Sequence, residues 1–475
     1  MLFNSFAFFL FFIVTTGIYF LVPHRFRWAI LLIASCYFYL YFIPVYILIL
    51  FATIVIDYFS GLYIEKSSSH RKKKMLLVLS ILSNFGILFF FKYFNFLNEN
   101  LGILFHGIGY HNPIPYLNII LPIGLSFHTF QAVSYIVEVY RGNQKAEKHA
   151  GIYALYVMFY PQLVAGPIER PQHMLHQFRE LHTFEPKRVI GGIQLMLWGL
   201  FKKAVVSDLL SVYVNSIYSN YHSNTGLTFC VSTWAFAFMI YCDFSGYSDI
   251  AVGSAQVMGF TLMRNFNLPY FSKSVTEFWR RWHISLSSWL RDYLYIPLGG
   301  SRFGKLLTYR NLMITMLLGG LWHGASWNFI IWGGLNGLYL SLEKFLGLTE
   351  RNRISETGFI TRSIRAFLTF NLICITWIFF RSQNFDQAWY ILSNIFHSPN
   401  FFTLRIQDTG IFASMLFTLS VMLLIEFLIL RKKDIFYQSP ENLSILRSGS
   451  LSAFLILMLV LFGYSEGGQF IYFQF

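Results

Sequence analysis

Long apolar runs separated by short basic ones dominate this chain and leave it few ways to fold. Inside a bilayer every backbone N–H and C=O must be bonded within the protein, so a crossing segment is a helix or part of a closed barrel. A crossing helix takes about 20 mostly apolar residues. Stretches that meet or approach this are Leu2–Val22, Trp28–Phe42, Val45–Ile64, Met75–Phe91, Ile119–Val139, Ile152–Val164, Val189–Val206, Leu227–Met258, Leu312–Leu342, Phe367–Phe380, Gly410–Leu430 and Leu451–Phe462. Leu227–Met258 and Leu312–Leu342 are long enough to be broken or doubled. Charged residues make up only 12% of the 475, where a soluble chain carries about a quarter. The expectation is an all-α, polytopic transmembrane bundle of about 11–13 spans with added interfacial and re-entrant helices, occupying 1–475 as a single integral-membrane domain.

The net charge of +14 could suggest nucleic acid, but its distribution argues otherwise. Basic residues fall in short runs between apolar stretches: Arg25 and Arg27, Arg71 to Lys74, Lys202 and Lys203, Arg280 and Arg281, Arg431 to Lys433. Loops on the cytoplasmic face have this character. With the N-terminus outside, the clusters around Arg25, Arg71 and Arg141 all land inside. Cys36, Cys230, Cys242 and Cys374 lie within apolar stretches and read as small buried residues, not as disulfides or metal ligands. Met1–Val22 lacks a basic leader and a small-residue cleavage site, so it reads as a retained first span.

Two regions are not simple spans. Tyr160–Arg188 contains Pro161, Gly166, Pro167 and Pro171 and reads as a re-entrant or interfacial stretch. Phe271–Arg310 is aromatic and basic together. Within it Phe278, Trp282, Leu286, Trp289 and Tyr293 form one helical stripe, with Arg280, Arg281, Ser288 and Arg291 off it. That pattern predicts an interfacial amphipathic helix over Glu277–Tyr293.

Polar groups at membrane depth are costly and therefore informative. His323, in Gly319-Gly320-Leu321-Trp322-His323-Gly324-Ala325-Ser326-Trp327, lies 12 residues beyond Asn311, roughly 18 Å along a helix. A neutral imidazole there can serve as a general base; the competing role is a hydrogen bond that packs helices. The flanking glycines let a helix or a ligand approach closely, which favours chemistry. His283, among Arg280, Arg281 and Trp282, has on its residues alone the character of a membrane-surface histidine. Asp243, Ser245 and Asp249 sit in a long apolar run, where carboxylates must line a wet cavity or pair with basic residues. Asp57, Glu138 and Glu426 read as interfacial or helix-paired. No phosphate loop, zinc-protease motif or nucleophile elbow occurs, and no metal site is expected.

Several stretches resemble the membrane-bound O-acyltransferases, in the branch of bacterial alginate O-acetyltransferases. They are Leu121 to Phe127 continuing through Thr129-Phe130-Gln131 to Tyr140-Arg141-Gly142; Phe159 to Ile168; Asp243 to Asp249; Glu277 to Pro297 and on to Arg302; Gly319 to Trp327; Trp377 to Arg381; and Phe470 to Phe475. The resemblance implies that His323 is the catalytic intramembrane histidine and that His283 holds the family's other characteristic position, beside the cytoplasmic mouth. It implies a ring of helices thin at its centre, in the bacterial cytoplasmic (inner) membrane. It implies an acyl-CoA donor such as acetyl-CoA, with no bound cofactor. It also implies a polysaccharide acceptor on the outer face and a separate extracytoplasmic hydrolase-fold partner. The same family includes the D-alanine transfer protein of teichoic acid modification.

The mechanism expected has His323 take a proton from an acceptor hydroxyl as it attacks the thioester. A backbone N–H near Gly320 or Gly324, or the Trp322 indole, would steady the oxyanion. Trp322 and Trp327 would line the site with Asp243, Ser245 and Asp249. Arg280, Arg281, Arg291 and Arg302 would meet the phosphates of coenzyme A, or snorkel to lipid phosphates. The competing function is a flippase for a polysaccharide precursor, which should show repeated halves with matched broken helices; no such repeat is visible.

Overall fold

The computed structural model describes residues 1–118, 121–122, 124–163, 166–348, 358–397, 401–431, 436–437 and 444–464. Its regular structure there is all helical. Among the described residues, six helices are long and apolar enough to cross a bilayer: Pro44–Lys66, His70–Gly107, Pro186–Ser219, Gly226–Met258, Phe359–Arg381 and Thr409–Arg431. Phe6–Leu21 and Leu446–Phe462 are shorter apolar helices. The chain is a multi-pass membrane protein. It packs as two compact units, Met1–Gly192 with Ala251–Met263, and Ile193–Ile250 with Arg264–Phe475.

The first unit holds α1 (Phe6–Leu21), α2 (His24–Leu40), α3 (Ile47–Lys66), α4 (His70–Gly107), α5 (Leu125–Arg141) and α6 (Ala150–Met158). Helix α4 is much longer than its apolar stretch: 38 residues, or about 57 Å against a hydrocarbon core of about 30 Å. Helices α3 and α4 are joined by a buried polar knot in which Asp57 accepts hydrogen bonds from Ser80 Oγ (2.5 Å) and Asn84 Nδ2 (2.9 Å). On α5, His128 meets Thr53 Oγ1 of α3 at 2.7 Å. Outward faces carry Leu10, Ile13, Leu48, Phe51, Met75 and Leu82, all exposed, as befits a protein solvated by lipid. After α6 the chain breaks, as its prolines require, into the single turns Tyr160–Leu163 and Pro171–Met174 and a 3-10 turn, Gln177–Arg179.

The second unit begins within α7 (Pro186–Leu200), which passes through a π-helical segment, Phe201–Ser207, into α8 (Asp208–Ser219). Then come α9 (Gly226–Met258), α10 (Val275–Arg281), α11 (Ile284–Leu290), α12 (Lys305–His323) and α13 (Trp327–Phe345). Helices α14 (Phe359–Arg381), α15 (Phe385–His397), α16 (Thr409–Arg431) and α17 (Ile445–Phe462) complete it.

Two expectations need correction here. Lys202 and Lys203 are not loop residues; they are only 3% and 2% exposed. Lys202 Nζ pairs with Asp249 (2.5 Å) and donates to Ser245 Oγ (2.8 Å), and Lys203 Nζ pairs with Asp243 (2.7 Å) and Asp208 (2.8 Å). Two apolar-run carboxylates and two lysines thus neutralise one another, because a buried ion is tolerable only when paired. The crossing is tight: a Cβ on Gly199 would lie 2.5 Å from the Gly246 carbonyl oxygen. Of the two stretches long enough to be broken or doubled, Leu312–Leu342 is a helical hairpin and Leu227–Met258 lies in one unbroken helix. Second, Glu277–Tyr293 is not one helix. It breaks at Trp282–His283 and ends in a π turn, Arg291–Tyr295. Its stripe faces protein rather than lipid: Phe278, Trp282, Leu286 and Trp289 are all buried.

The stretch Phe470 to Phe475, and positions 123, 164 and 165 within the other motifs, lie outside the described residues.

Candidate active site

Glycine builds the hairpin that carries His323. A Cβ on Gly320 would stand 2.2 Å from the Phe329 carbonyl oxygen, and one on Gly333 would stand 2.3 Å from that of Met316. These positions, with Gly337 against Met313 Sδ (3.0 Å), bring α12 and α13 into backbone contact. The glycines around His323 therefore serve helix approach. His323 is the last residue of α12. It is 4% exposed, boxed by the rings of Trp322 (5.0 Å), Trp332 (5.0 Å) and Phe380 (5.4 Å).

A cavity of about 380 Å³ reaches His323. From α12 it is lined by Leu312, Thr315, Met316, Gly319 and His323. Those residues share one helix face and extend over roughly 16 Å of axis, so the cavity is a passage. The segment from Ile284 to Tyr295 forms the facing wall, and the stretch from His283 to Gly300 runs antiparallel to α12. His283 stands by Trp322 (ring centroids 6.0 Å), Leu290 abuts Gly319, and the carbonyls of Leu298 (3.1 Å) and Gly300 (3.0 Å) accept from Asn311 Nδ2. Helix α10 forms a third wall with Thr276, Trp279 and Arg280. Its N-terminus is anchored by Glu343 of α13, which accepts from the N–H groups of Val275 (2.5 Å) and Thr276 (2.9 Å). Carboxylate at a helix N-terminus satisfies orphan donors and complements the dipole. Farther along, the Trp279 indole donates to Asn336 Oδ1 (3.3 Å).

The residues expected at the site divide. Arg280 and Arg291 border the cavity. Arg281 instead pairs with Glu277 (2.6 Å), and Arg302 lies on an exposed turn. Trp322 is wedged between the two imidazoles, whereas Trp327 is 57% exposed at the start of α13. Asp243, Ser245 and Asp249 belong to the lysine cluster, and Tyr437 also donates to Asp249 (2.6 Å). His283 is fully buried, in edge contact with Phe244 (4.6 Å), and is not part of the cavity wall. Burial pushes its pKa down to about 3, so the ring is neutral. Gly324 N–H is engaged with the Gly320 carbonyl (3.4 Å).

Sequence reasoning passed over Trp332 and Asn265. Trp332 lines the cavity, and its indole nitrogen has no hydrogen-bond partner among the described residues. Nothing in the apolar stretch around it signals this. Asn265 sits in the aperiodic loop before α10, where no pattern distinguishes one polar residue from another.

Residues 148–381 match the family model of the membrane-bound O-acyltransferases. The chain is 40% identical to the probable alginate O-acetylase AlgI of Pseudomonas aeruginosa over 83% of its own length and 75% of that protein's. The chain belongs to the membrane-bound O-acyltransferase family. It is also 32% identical to the peptidoglycan O-acetyltransferase of Helicobacter pylori, covering 94% of this chain and 91% of that one. Likeness to the teichoic acid D-alanyltransferase of Bacillus subtilis is lower, 26% over 62% of this chain and 76% of the other. Every residue lining the passage to His323 falls inside the segment matched to the O-acyltransferase family. An O-acyltransferase must bring a thioester and a hydroxyl to one base away from bulk water, and a buried histidine at the end of a narrow passage can do that.

Proposed function

We propose that this O-acyltransferase moves an acetyl group from acetyl-CoA in the cytoplasm to hydroxyls of an extracytoplasmic cell-envelope polysaccharide, and that it works in the bacterial inner membrane. The carrying observation is the passage that joins Arg280 and Arg291 to His323. Its volume of about 380 Å³ lies within the range of small-molecule sites, about 300–1,000 Å³. Acetyl is favoured because the relatives with the longer matches are O-acetyl enzymes by name, one for alginate and one for peptidoglycan. A hydrolase-fold protein outside the membrane is the expected partner that carries the acetyl group onward to glycan.

In this reading the guanidinium groups of Arg280 and Arg291 hold the donor's phosphates while the acyl-bearing arm enters the passage. Neutral His323 removes the proton of the acceptor hydroxyl as its oxygen bonds to the thioester carbonyl carbon. The Trp332 indole N–H, rather than a backbone amide, donates to the resulting oxyanion. Collapse of the tetrahedral intermediate breaks the C–S bond, and the proton on His323 passes to the departing thiolate. The products are an ester and free coenzyme A thiol. His283 acts behind Trp322 as the second histidine of the site.

The test is His323→Ala in purified protein reconstituted in vesicles with labelled acetyl-CoA. Loss of general-base action lowers turnover by about 10²- to 10⁴-fold, while the variant inserts and unfolds thermally like the parent. Parent-like turnover in that variant removes His323 from the reaction.

A further inference from the structure

His283 has an unusual backbone. It is one of two non-glycine residues with positive φ among the described residues (φ 41°), in a region that side chains seldom adopt. Such a conformation persists only where surrounding bonds hold it. Ser287 N–H bonds the His283 carbonyl (2.9 Å), and several further bonds come from one buried residue, Asn265. Its carbonyl oxygen accepts from Ile284 N–H (2.8 Å), and its side-chain Oδ1 accepts from Ser285 N–H (3.2 Å) and Ser285 Oγ (3.0 Å). Asn265 Nδ2 donates to Ser248 Oγ on α9 (3.2 Å). The same Oδ1 lies 3.1 Å from His283 Nδ1.

This arrangement determines a tautomer. A backbone N–H can only donate, so the amide atom facing Ser285 is the oxygen, and the asparagine cannot be turned round. That oxygen has no proton to give, so at 3.1 Å His283 Nδ1 donates to it, and Ser285 Oγ, 3.4 Å from the same nitrogen, spends its proton on Oδ1. Nδ1 therefore carries the proton and Nε2 is the accepting nitrogen. We infer that Asn265 is a positioning residue that fixes His283 as the neutral Nδ1–H tautomer and commits its Nε2 to accepting a hydrogen bond or proton at the site. This rests on the reading that His283 takes part in acyl transfer.

Ionisable groups on the elements around the ring are accounted for. Asp243 and Asp249 of α9 are held by Lys203 and Lys202, and Arg281 by Glu277. Arg264 lies over Tyr437 (4.4 Å), and His323 stands beyond Trp322.

The experiment compares Asn265→Ala, Asn265→Asp and His283→Ala as full-length protein in vesicles, with acetyl-CoA turnover measured against pH. Asn265→Ala frees the tautomer and lowers kcat by about 10- to 100-fold, as loss of an orienting partner does elsewhere, with the donor KM within about twofold of the parent. Asn265→Asp keeps the acceptor, so it retains most activity at alkaline pH. Its carboxylate stabilises the imidazolium, so the pKa of His283 followed by ¹⁵N chemical shift rises by about one unit or more. Parent-like kcat and pH profile in a folded Asn265→Ala protein overturns the inference. If that variant does not fold, an Asn265→Asp protein whose His283 ¹⁵N titration matches the parent overturns it. So does an ¹⁵N-histidine spectrum of the parent protein that assigns His283 as Nε2–H. Parent-like turnover in His283→Ala refutes the underlying reading of His283 instead, a separate result.

Discussion

Arginines near the passage are chemically alike in the sequence and unlike in the structure. Arg280 and Arg291 border the cavity, whereas Arg281 is held by Glu277 and Arg302 points from an exposed turn. Arg291 also pairs with Asp292 through Nε (2.7 Å), which leaves it further donors for a phosphate because a guanidinium has five. Arg280→Ala and Arg291→Ala should each raise the KM for acetyl-CoA by about 3- to 10-fold, with kcat changed much less, as expected for charge-assisted contacts at a partly exposed mouth. Arg281→Ala and Arg302→Ala should leave KM close to the parent value. Steady-state kinetics on the four variants checks this, and equal KM effects in all four would argue for a diffuse field rather than a built mouth. Sequence alone could not make the distinction. All four arginines fall in one basic, aromatic segment, and what separates them is local: Arg281 is held by Glu277 one turn back on α10, and Arg302 lies beyond the π turn that carries Arg291.

At the scale of elements, apolar runs located most helices, because burial in lipid demands long continuous stretches. The failures share one cause: a partner supplied from elsewhere in the chain. Lys202 and Lys203 looked like a loop until Asp243 and Asp249 of α9 and Asp208 of α8 proved to meet them. Residues Glu277–Tyr293 kept their helical spacing across the break, since α10 and α11 each contribute part of one buried stripe. The hairpin α12–α13 was half legible. The sequence shows Gly320 and Gly324 beside His323, but only the packing shows that they answer Phe329 and that Gly333 answers Met316. Gly320→Val would push a side chain into the Phe329 carbonyl, and backbone cannot give way as a flexible side chain can. Overpacking of this kind costs about 1–3 kcal/mol, so the apparent Tm in detergent should fall and acyl transfer should be lost with it. Gly86→Ala is the control. It lies inside α4 with nothing within 4 Å of the added carbon, and alanine there should stabilise by about 0.5–1 kcal/mol. A Gly320→Val protein with parent-like Tm would mean that the two helices do not touch as described.

For the whole molecule, the proposed function makes sidedness in the membrane the property to test, because it puts donor and acceptor on opposite faces. Helix packing is silent on this; the charge pattern is not. Basic residues flanking spans resist translocation, and they cluster at the start of α4, in Arg71 to Lys74, and at the start of α12, in Arg302 and Lys305. The mouth formed by Arg280 and Arg291 belongs to the same basic segment as the second cluster. If that mouth admits a cytoplasmic thioester, the cluster beside α12 must face the cytoplasm, and the charge rule independently puts the cluster at the start of α4 there. Single cysteines at the exposed positions Ser68 and Ser301, in a background with the four native cysteines replaced, report on this directly. A membrane-impermeant maleimide should modify both in inverted vesicles and neither in intact cells stripped of their outer layers. Labelling of Ser301→Cys from the outside would place the arginine mouth away from the acetyl-CoA pool. The passage to His323 would then have to serve the acceptor hydroxyl, and the donor would need a different entrance.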